Sequence, residues 1–354
     1  MLRVKYIFRV LFSICIYGGF AFSALADEAP KTGTLKFKTD GTFKIVQFTD
    51  IHNDKNTDRR TAALIESVCD DQQPDVVILT GDNITGKISS AGSVKKAING
   101  FASLINSRKI PWFIAFGNHD DDHASVTGMT KDAQLEYYMS FSHNINIDIE
   151  DNITGAGNMF INVYHSDGYQ TIVKDEPAFI LWALDSGTYA HKVISGQPTE
   201  GLPKWDWIRY DQIEWYVKNS KSIEAKYGKV PGFMFFHIPI FEFSLMWDQK
   251  EKHGVTGEKN ENISCGPFNG GLFSAILERG DIKGVFCGHD HVNNYIGNYY
   301  GVYLGYAASA GFGPYGLGGS GRNRLRGARV FILNENNPEN FESYMVYAHD
   351  YGIR

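Results

Sequence analysis

Phe43-Lys44-Ile45-Val46-Gln47-Phe48-Thr49-Asp50-Ile51-His52 alternates apolar with polar residues, is rich in β-formers and then breaks into polar side chains. That pattern reads as a strand with Asp50 and His52 just past its end. Asp75-Val76-Val77-Ile78-Leu79-Thr80 is a nearly continuous apolar run that stops at Gly81-Asp82. Such a run marks a strand buried on both faces. Trp112-Phe113-Ile114-Ala115-Phe116 is another, and it stops at Gly117-Asn118-His119-Asp120. Between these strands, residues 61–69 and 94–105 space their apolar side chains as helices do. The order is therefore β-α-β-α-β, an α/β fold with right-handed crossovers expected.

The second half repeats the habit. Residues 178–184 form a strand ending at Asp185, and 232–236 form one ending at His237. Residues 282–287 form a third, ending at Gly288-His289-Asp290-His291. Helices are expected over 208–217 and 272–277, and closing strands over 295–306, 329–333 and 343–347. Two connections, 186–204 and 247–271, are long for a compact domain, and long loops tend to be functional. Residues 311–327 form a glycine-rich loop carrying Arg322, Arg324 and Arg326.

In open α/β sheets, ligands bind beyond the carboxyl ends of strands. The residues at those ends are Asp50, His52, Asp82, Asn118, His119, His237, His289 and His291. Taken singly, each has an ordinary explanation: an aspartate after a strand caps a helix or forms a turn. Together they assemble oxygen and imidazole donors suited to zinc, iron or manganese, without the cysteines of a structural zinc site. His289 and His291, two apart, would share one face of a regular strand.

The five blocks Asp50-Ile51-His52, Gly81-Asp82-Asn83, Gly117-Asn118-His119-Asp120, His237 and Gly288-His289-Asp290-His291 resemble, in order, the calcineurin-like metallophosphoesterase pattern. The resemblance covers roughly residues 43–347. It implies a four-layer β-sandwich of two mixed sheets flanked by helices. It implies two di- or trivalent ions: Asp50, His52 and His291 on one, Asn118, His237 and His289 on the other, Asp82 bridging. His119 would act as general acid or electrostatic helper. Asp120 would either orient His119 or cap a helix. The implied reaction is hydrolysis of a small phosphate ester by metal-activated hydroxide, with a monoester as substrate. The alternatives are a diesterase acting on nucleotides or lipid headgroups, and a non-catalytic, metal-stabilised binding protein.

Gly288 to Asn293 and the segment Arg326-Gly327-Ala328-Arg329-Val330 are also similar to a subgroup among the purple acid phosphatases, the Dcr2-type and short plant enzymes. Purple enzymes place a metal-binding tyrosine three residues after the bridging aspartate. Thr85 stands there in this chain, and His52 is present where those enzymes lack a histidine. The resemblance therefore implies that His52 replaces the tyrosinate and that the purple absorption is missing.

Other residues near the strand ends are candidates of lower rank. Asn53, Asn83, His123, Asn293 and Tyr315 read as surface-loop residues, with substrate contact as the alternative. Trp205, Trp207 and Trp215 read as packing residues that could instead wall a cleft. Cys287 reads as a packed cysteine, since no activating base is evident.

The 354 residues carry a net charge of -6, and nothing in the composition suggests the basic face of a nucleic-acid binder. Arg3, Lys5 and Arg9 precede an apolar run over 10–22, and Ala24-Leu25-Ala26 then offers a cleavage site. This is the layout of an export signal. The expected organisation is a signal over 1–26, an extended lead-in over 27–42 and one domain over 43–354, exported to a periplasm or the medium, with no membrane span after cleavage. Cys69, Cys265 and Cys287 would remain, enough for at most one intramolecular disulfide.

Overall fold

The computed structural model describes residues 34–149, 152–318 and 324–354. The expected signal segment and Arg322 lie outside the described residues.

The chain begins with β1 (Thr42–Phe48), α1 (Arg59–Gln72), β2 (Val76–Thr80), α2 (Ala91–Asn106) and β3 (Trp112–Ala115). Two short helices, α3 (Ala124–Thr127) and α4 (Lys131–Met139), precede β4 (Met159–Tyr164) and β5 (Pro177–Ala183). The small pair β6 (Val193–Ile194) and β7 (Gln197–Pro198) interrupts the long connection to α5 (Tyr210–Tyr227) and β8 (Gly232–Phe235). Then follow α6 (Glu242–Asp248), α7 (Leu272–Arg279), β9 (Ile282–Cys287), β10 (Ile296–Tyr299), β11 (Val302–Tyr306), β12 (Gly327–Asn334) and β13 (Glu342–Tyr347).

The strands make two mixed sheets, ordered β13-β12-β1-β2-β3 and β10-β11-β9-β8-β5-β4. β1, β2 and β3 run parallel, as do β5, β8, β9 and β11, while β12 and β13 add antiparallel strands to the first sheet. The α/β reading from the sequence is therefore met by two mixed sheets flanked by helices.

The alternation in β1 explains the layering. Phe43 and Ile45 point between the sheets, and Val46 and Phe48 point to the helices outside. The inner layer joins Phe43, Ile78, Phe113 and Phe331 to Phe179, Phe233, Phe235 and Phe286. Each such phenylalanine contributes about 1.5–3 kcal/mol by leaving water. Outside the first sheet, α1, α2 and α4 bury Leu64, Val68, Ile98, Phe101 and Tyr138. Outside the second, α5, α6 and α7 bury Trp215, Tyr216, Phe243, Met246 and Ile276.

Two buried polar groups tie the sandwich together. Gln47 Nε2 on β1 donates to Thr80 Oγ1 at 2.9 Å and to the Cys287 carbonyl of the other sheet at 3.2 Å. Arg329 on β12 is buried and donates to the Tyr306 carbonyl at 2.7 Å, the Asn294 carbonyl at 2.5 Å and Ser343 Oγ at 3.0 Å. The long loops are cross-linked too: Arg324 pairs with Glu258, and Tyr315 donates to Glu261 Oε2 at 2.7 Å.

Candidate metal centre

The parallel strands stop along one edge of the sandwich. β1, β2 and β3 release Asp50, Asp82 and Asn118 from the first sheet. β8 and β9 release His237, His289 and His291 from the second. Four residues in these turns have an unusual backbone. Asp50, His52, Asp82 and His289 have φ of 50°, 45°, 49° and 73°, the left-handed region that side chains with a Cβ rarely occupy. Such strain of about 1–3 kcal/mol each concentrates at functional sites. Glycines make the close approach possible. A Cβ on Gly81 would stand 2.7 Å from His237 Nδ1, and one on Gly288 would stand 1.9 Å from Thr49 Oγ1.

The side chains converge as two ligand clusters, Asp50–His52–Asp82–His291 and Asp82–His237–His289, with donor atoms within 4.8 Å of one another in each. Asp82 belongs to both. Asp82 Oδ2 lies 3.2 Å from His237 Nε2 and 3.5 Å from His52 Nε2. His291 Nε2 lies 3.2 Å from Asp50 Oδ1 and 3.1 Å from His52 Nε2.

Asp50, Asp82 and His237 each have one atom held by the protein and another aimed inward. Asp50 Oδ2 accepts from Thr49 Oγ1 at 2.8 Å and from the His289 amide at 3.0 Å, leaving Oδ1 buried without a hydrogen-bond partner. Asp82 Oδ1 accepts the His119 amide at 2.7 Å, leaving Oδ2 for the cluster. His237 Nδ1 donates to the Thr80 carbonyl at 2.8 Å, which fixes the ring and leaves Nε2 facing inward. Asn118 Oδ1 is also buried and unpartnered, and His289 brings Nδ1 to 3.2 Å from His237 Nε2. A buried polar atom without a partner costs about 1–3 kcal/mol, so this gathering of them is what cations would relieve. The donor set of carboxylates, imidazoles and one amide fits two metal ions.

The charges behave accordingly. Burial opposes ionisation of Asp50, but the adjacent imidazoles of His291 and His237 hold its pKa well below the ordinary value. Asp82 follows the same course, with His237 opposing its burial. Burial lowers His237, but Asp82 and Asp50 outweigh that and push it up to about 9. Burial and the neighbouring His237 charge push His289 down to about 3.

His119 stands at the mouth, its ring 5.1 Å from that of His52 and its side chain 36% exposed. Its Nδ1 donates to Asp122 Oδ2 at 2.5 Å. Burial disfavours its cation, but the Asp122 hydrogen bond and the Asp82 charge raise its pKa overall.

Asp120 requires a correction: it does not orient His119. Its oxygens accept the amides of Ile84 at 3.0 Å and Gly117 at 2.8 Å, so it braces the β2 and β3 turns from beneath. Burial and the nearby Asp82 charge push it up to about 7. Asn53, Asn83, His123 and Asn293 are likewise not surface-loop residues, being at most 3% exposed. Asn53 donates to Thr57 and the Ala97 carbonyl, and Asn293 accepts the amides of Asn260 and Glu261. Tyr315 does reach the site, stacking on His291 with ring centres 4.1 Å apart. Of the three tryptophans, Trp215 is core and Trp207 packs on Phe268. Trp205 meets the His289 ring edge-on at 4.2 Å, so it lines the site. Cys287 is buried and, like Cys69 and Cys265, free.

Residues 43–293 match the profile of the calcineurin-like phosphoesterase family. The chain is a calcineurin-like phosphoesterase. Members of this family are metal-dependent phosphoric ester hydrolases, and the two clusters that meet at Asp82 give this phosphoesterase a dinuclear ligand set. It is 30% identical over 358 residues to "Probable inactive purple acid phosphatase 29" of Arabidopsis thaliana, covering 93% of this chain and 87% of the relative. It is 29% identical over 278 residues to "Phosphatase DCR2" of Saccharomyces cerevisiae, covering 72% of this chain but only 45% of that protein. Among solved structures, the phosphoesterase shares the fold of a dimetal phosphatase from Danio rerio, with a TM-score of 0.53 at 12% identity, covering 86% of this chain and 99% of that one. Among the described residues, no helix is long and apolar enough to cross a membrane.

Proposed function

We propose that this calcineurin-like phosphoesterase is an exported phosphomonoesterase that uses two ions of iron, zinc or manganese. The observation that carries this reading is the sharing of Asp82 by two buried ligand clusters, with His119 beside it at the open side. Bound there, two ions would supply Lewis acidity toward the phosphate oxygens and an acidified water, its pKa lowered from ~15.7 toward ~7.

The chain's own residues do the rest. Asp50, His52 and His291 would hold one ion, Asn118, His237 and His289 the other, and Asp82 would set their separation. Neutral Asn118 and the imidazoles offset little of the cation charge, which favours an anionic ester. His119 donates a hydrogen bond to a phosphoryl oxygen, or a proton to the departing alkoxide. Proton donation of this kind contributes ~100- to 10,000-fold. The name of the yeast relative, Phosphatase DCR2, supports monoesters over diesters. The basic and apolar N-terminal residues with Ala24-Leu25-Ala26 support export, with the mature chain opening at Asp27.

Hydrolysis of p-nitrophenyl phosphate and bis-p-nitrophenyl phosphate, with metal content quantified before and after chelation, tests the reading. Chelator-sensitive turnover of the monoester is expected. Preference for the diester would replace monoesterase with diesterase. A filled site without turnover of either ester would favour a binding role.

A further inference from the structure

His119 is not alone at the mouth. The residue that shares its Nδ1 proton is Asp122, three residues on, at 2.5 Å. The same carboxylate oxygen accepts from the Tyr189 hydroxyl at 3.3 Å. That hydroxyl in turn accepts from Asn118 Nδ2 at 3.3 Å. A continuous line of donors therefore runs from Asn118 through Tyr189 to Asp122 and His119. It fixes the Asn118 amide with its oxygen turned to the ligand cluster, where Oδ1 is buried without another partner. It also holds the His119 ring by Nδ1, leaving Nε2 free to face a substrate.

Two further features hold this line in place. A Cβ on Gly86 would stand 2.4 Å from Asp122 Oδ2, so the β2 turn leaves room for that carboxylate only because residue 86 is glycine. Tyr189 is pinned by stacking on Trp205, ring centres 5.6 Å apart, and Trp205 is itself set against His289. Tyr189 and Trp205 also bridge through their backbones at the two ends of the loop that carries β6 and β7. The loop is thus built to present this hydroxyl.

We propose that Asp122 and Tyr189 are a positioning pair for this reaction, coupling the amide ligand Asn118 to the acid His119. This inference rests on the reading of His119 as the acid. As the P–O bond breaks, the His119 Nε2 proton passes to the leaving oxygen, and the Nδ1 proton stays shared with Asp122. The ring must be aligned at that moment and not before. The pair therefore matters most for esters whose leaving alkoxide is strongly basic, and little for a stabilised phenolate.

The test compares kcat and KM for glycerol 2-phosphate and p-nitrophenyl phosphate in the metal-loaded wild type and in Asp122→Asn, Tyr189→Phe, the double variant and His119→Ala. Asp122→Asn should lower kcat ~10- to 100-fold on glycerol 2-phosphate, the range seen on losing partners that orient site imidazoles. It should lower kcat less than about 3-fold on p-nitrophenyl phosphate, with KM and metal content nearly unchanged, because the leaving phenolate needs little protonation. Tyr189→Phe should show the same selective loss to a smaller degree. The double variant should lose little more than Asp122→Asn alone, because the residues act in series. Equal losses on both esters, or a change confined to KM, would overturn the pair's role. Should His119→Ala lose activity equally on both esters, the acid reading itself fails; should it alone show selectivity, only the pair is wrong. Imidazole nitrogen NMR of the zinc-loaded protein gives an answer independent of turnover. The His119 Nδ1 resonance should move in Asp122→Asn, and an unmoved resonance would refute the contact.

Discussion

A Cβ on Gly117 would stand 2.3 Å from both the backbone nitrogen and Oδ1 of Asp82. The β2 and β3 turns therefore interlock with no room for one more carbon, at the carboxylate common to both ligand clusters. Gly117→Ala is expected to displace Asp82 and lose at least one ion of two while the sandwich stays folded. Metal analysis alongside circular dichroism checks it. Full metal content in the variant would contradict the interlock.

Asp82→Ala should abolish binding of both ions and all turnover, since each cluster loses a ligand. His119→Ala should keep both ions, because His119 belongs to neither cluster, and lose ~100- to 10,000-fold in kcat on basic leaving groups. Metal quantification of the two purified variants separates ligand from acid.

Thr85 follows Asp82 where a tyrosinate would give colour, and His52 Nε2 takes up that side of the cluster, 3.5 Å from Asp82 Oδ2. Protein reconstituted with ferric iron should therefore show no visible charge-transfer band of the phenolate type. Such a band would assign a tyrosine to the metal and displace His52 from the ligand set.

Arg329 is fully desolvated, and burial pulls its guanidinium down to about 10. Its three donors satisfy the Tyr306 and Asn294 carbonyls and Ser343 Oγ. Arg329→Ala strands at least two buried acceptors and leaves a cavity, for an expected loss of about 3 kcal/mol. A urea titration of both proteins measures it. A loss below about 1 kcal/mol would mean that water replaces the guanidinium.

The thiols titrate late. Burial raises Cys69 to about 12 and holds Cys287 well above the ordinary thiol range. Between the unfolded thiol value and these raised values, the native chain binds more protons than the unfolded one. Stability contributed by these thiols is therefore full below the unfolded pKa and is lost as pH rises from about 9. In native protein near pH 9, iodoacetamide should label partly exposed Cys265 while sparing Cys69 and Cys287. Labelling of Cys69 at a comparable rate would show that α1 opens locally.

The strands that carry ligands were the legible part of the sequence. Continuous apolar runs ending in Gly-Asp, Gly-Asn-His or Gly-His are strong local signals, because burial sets the run and the tight turn demands the glycine. β4 was missed: only Met159 and Val163 of its six residues are buried, and the strand lies at a sheet edge. The error at Asp120 has a similar source. Spacing alone offers three carboxylates near His119, and only the backbone path decides that Asp120 turns under the strands while Asp122 turns toward the ring. Tyr189 carried no signal either, since its partners lie 67 and 71 residues away in the chain. Asn53 and Asn293 were read as exposed because asparagine usually is. Here backbone groups of α2 and of a neighbouring loop supply the partners that burial requires.

Each ligand cluster draws residues from both leaves of the sandwich: His291 joins Asp50 and His52, and His237 and His289 join Asp82. An ion in either cluster would act as a rivet through two plates. Its grip would gauge their alignment, so any slip of one plate along the phenylalanine layer would loosen the rivet before it unfolded the chain. A substitution deep in that layer, far from any ligand, would then surface as a change in ion affinity, and the metals would in turn resist the shear that heat imposes on the two plates.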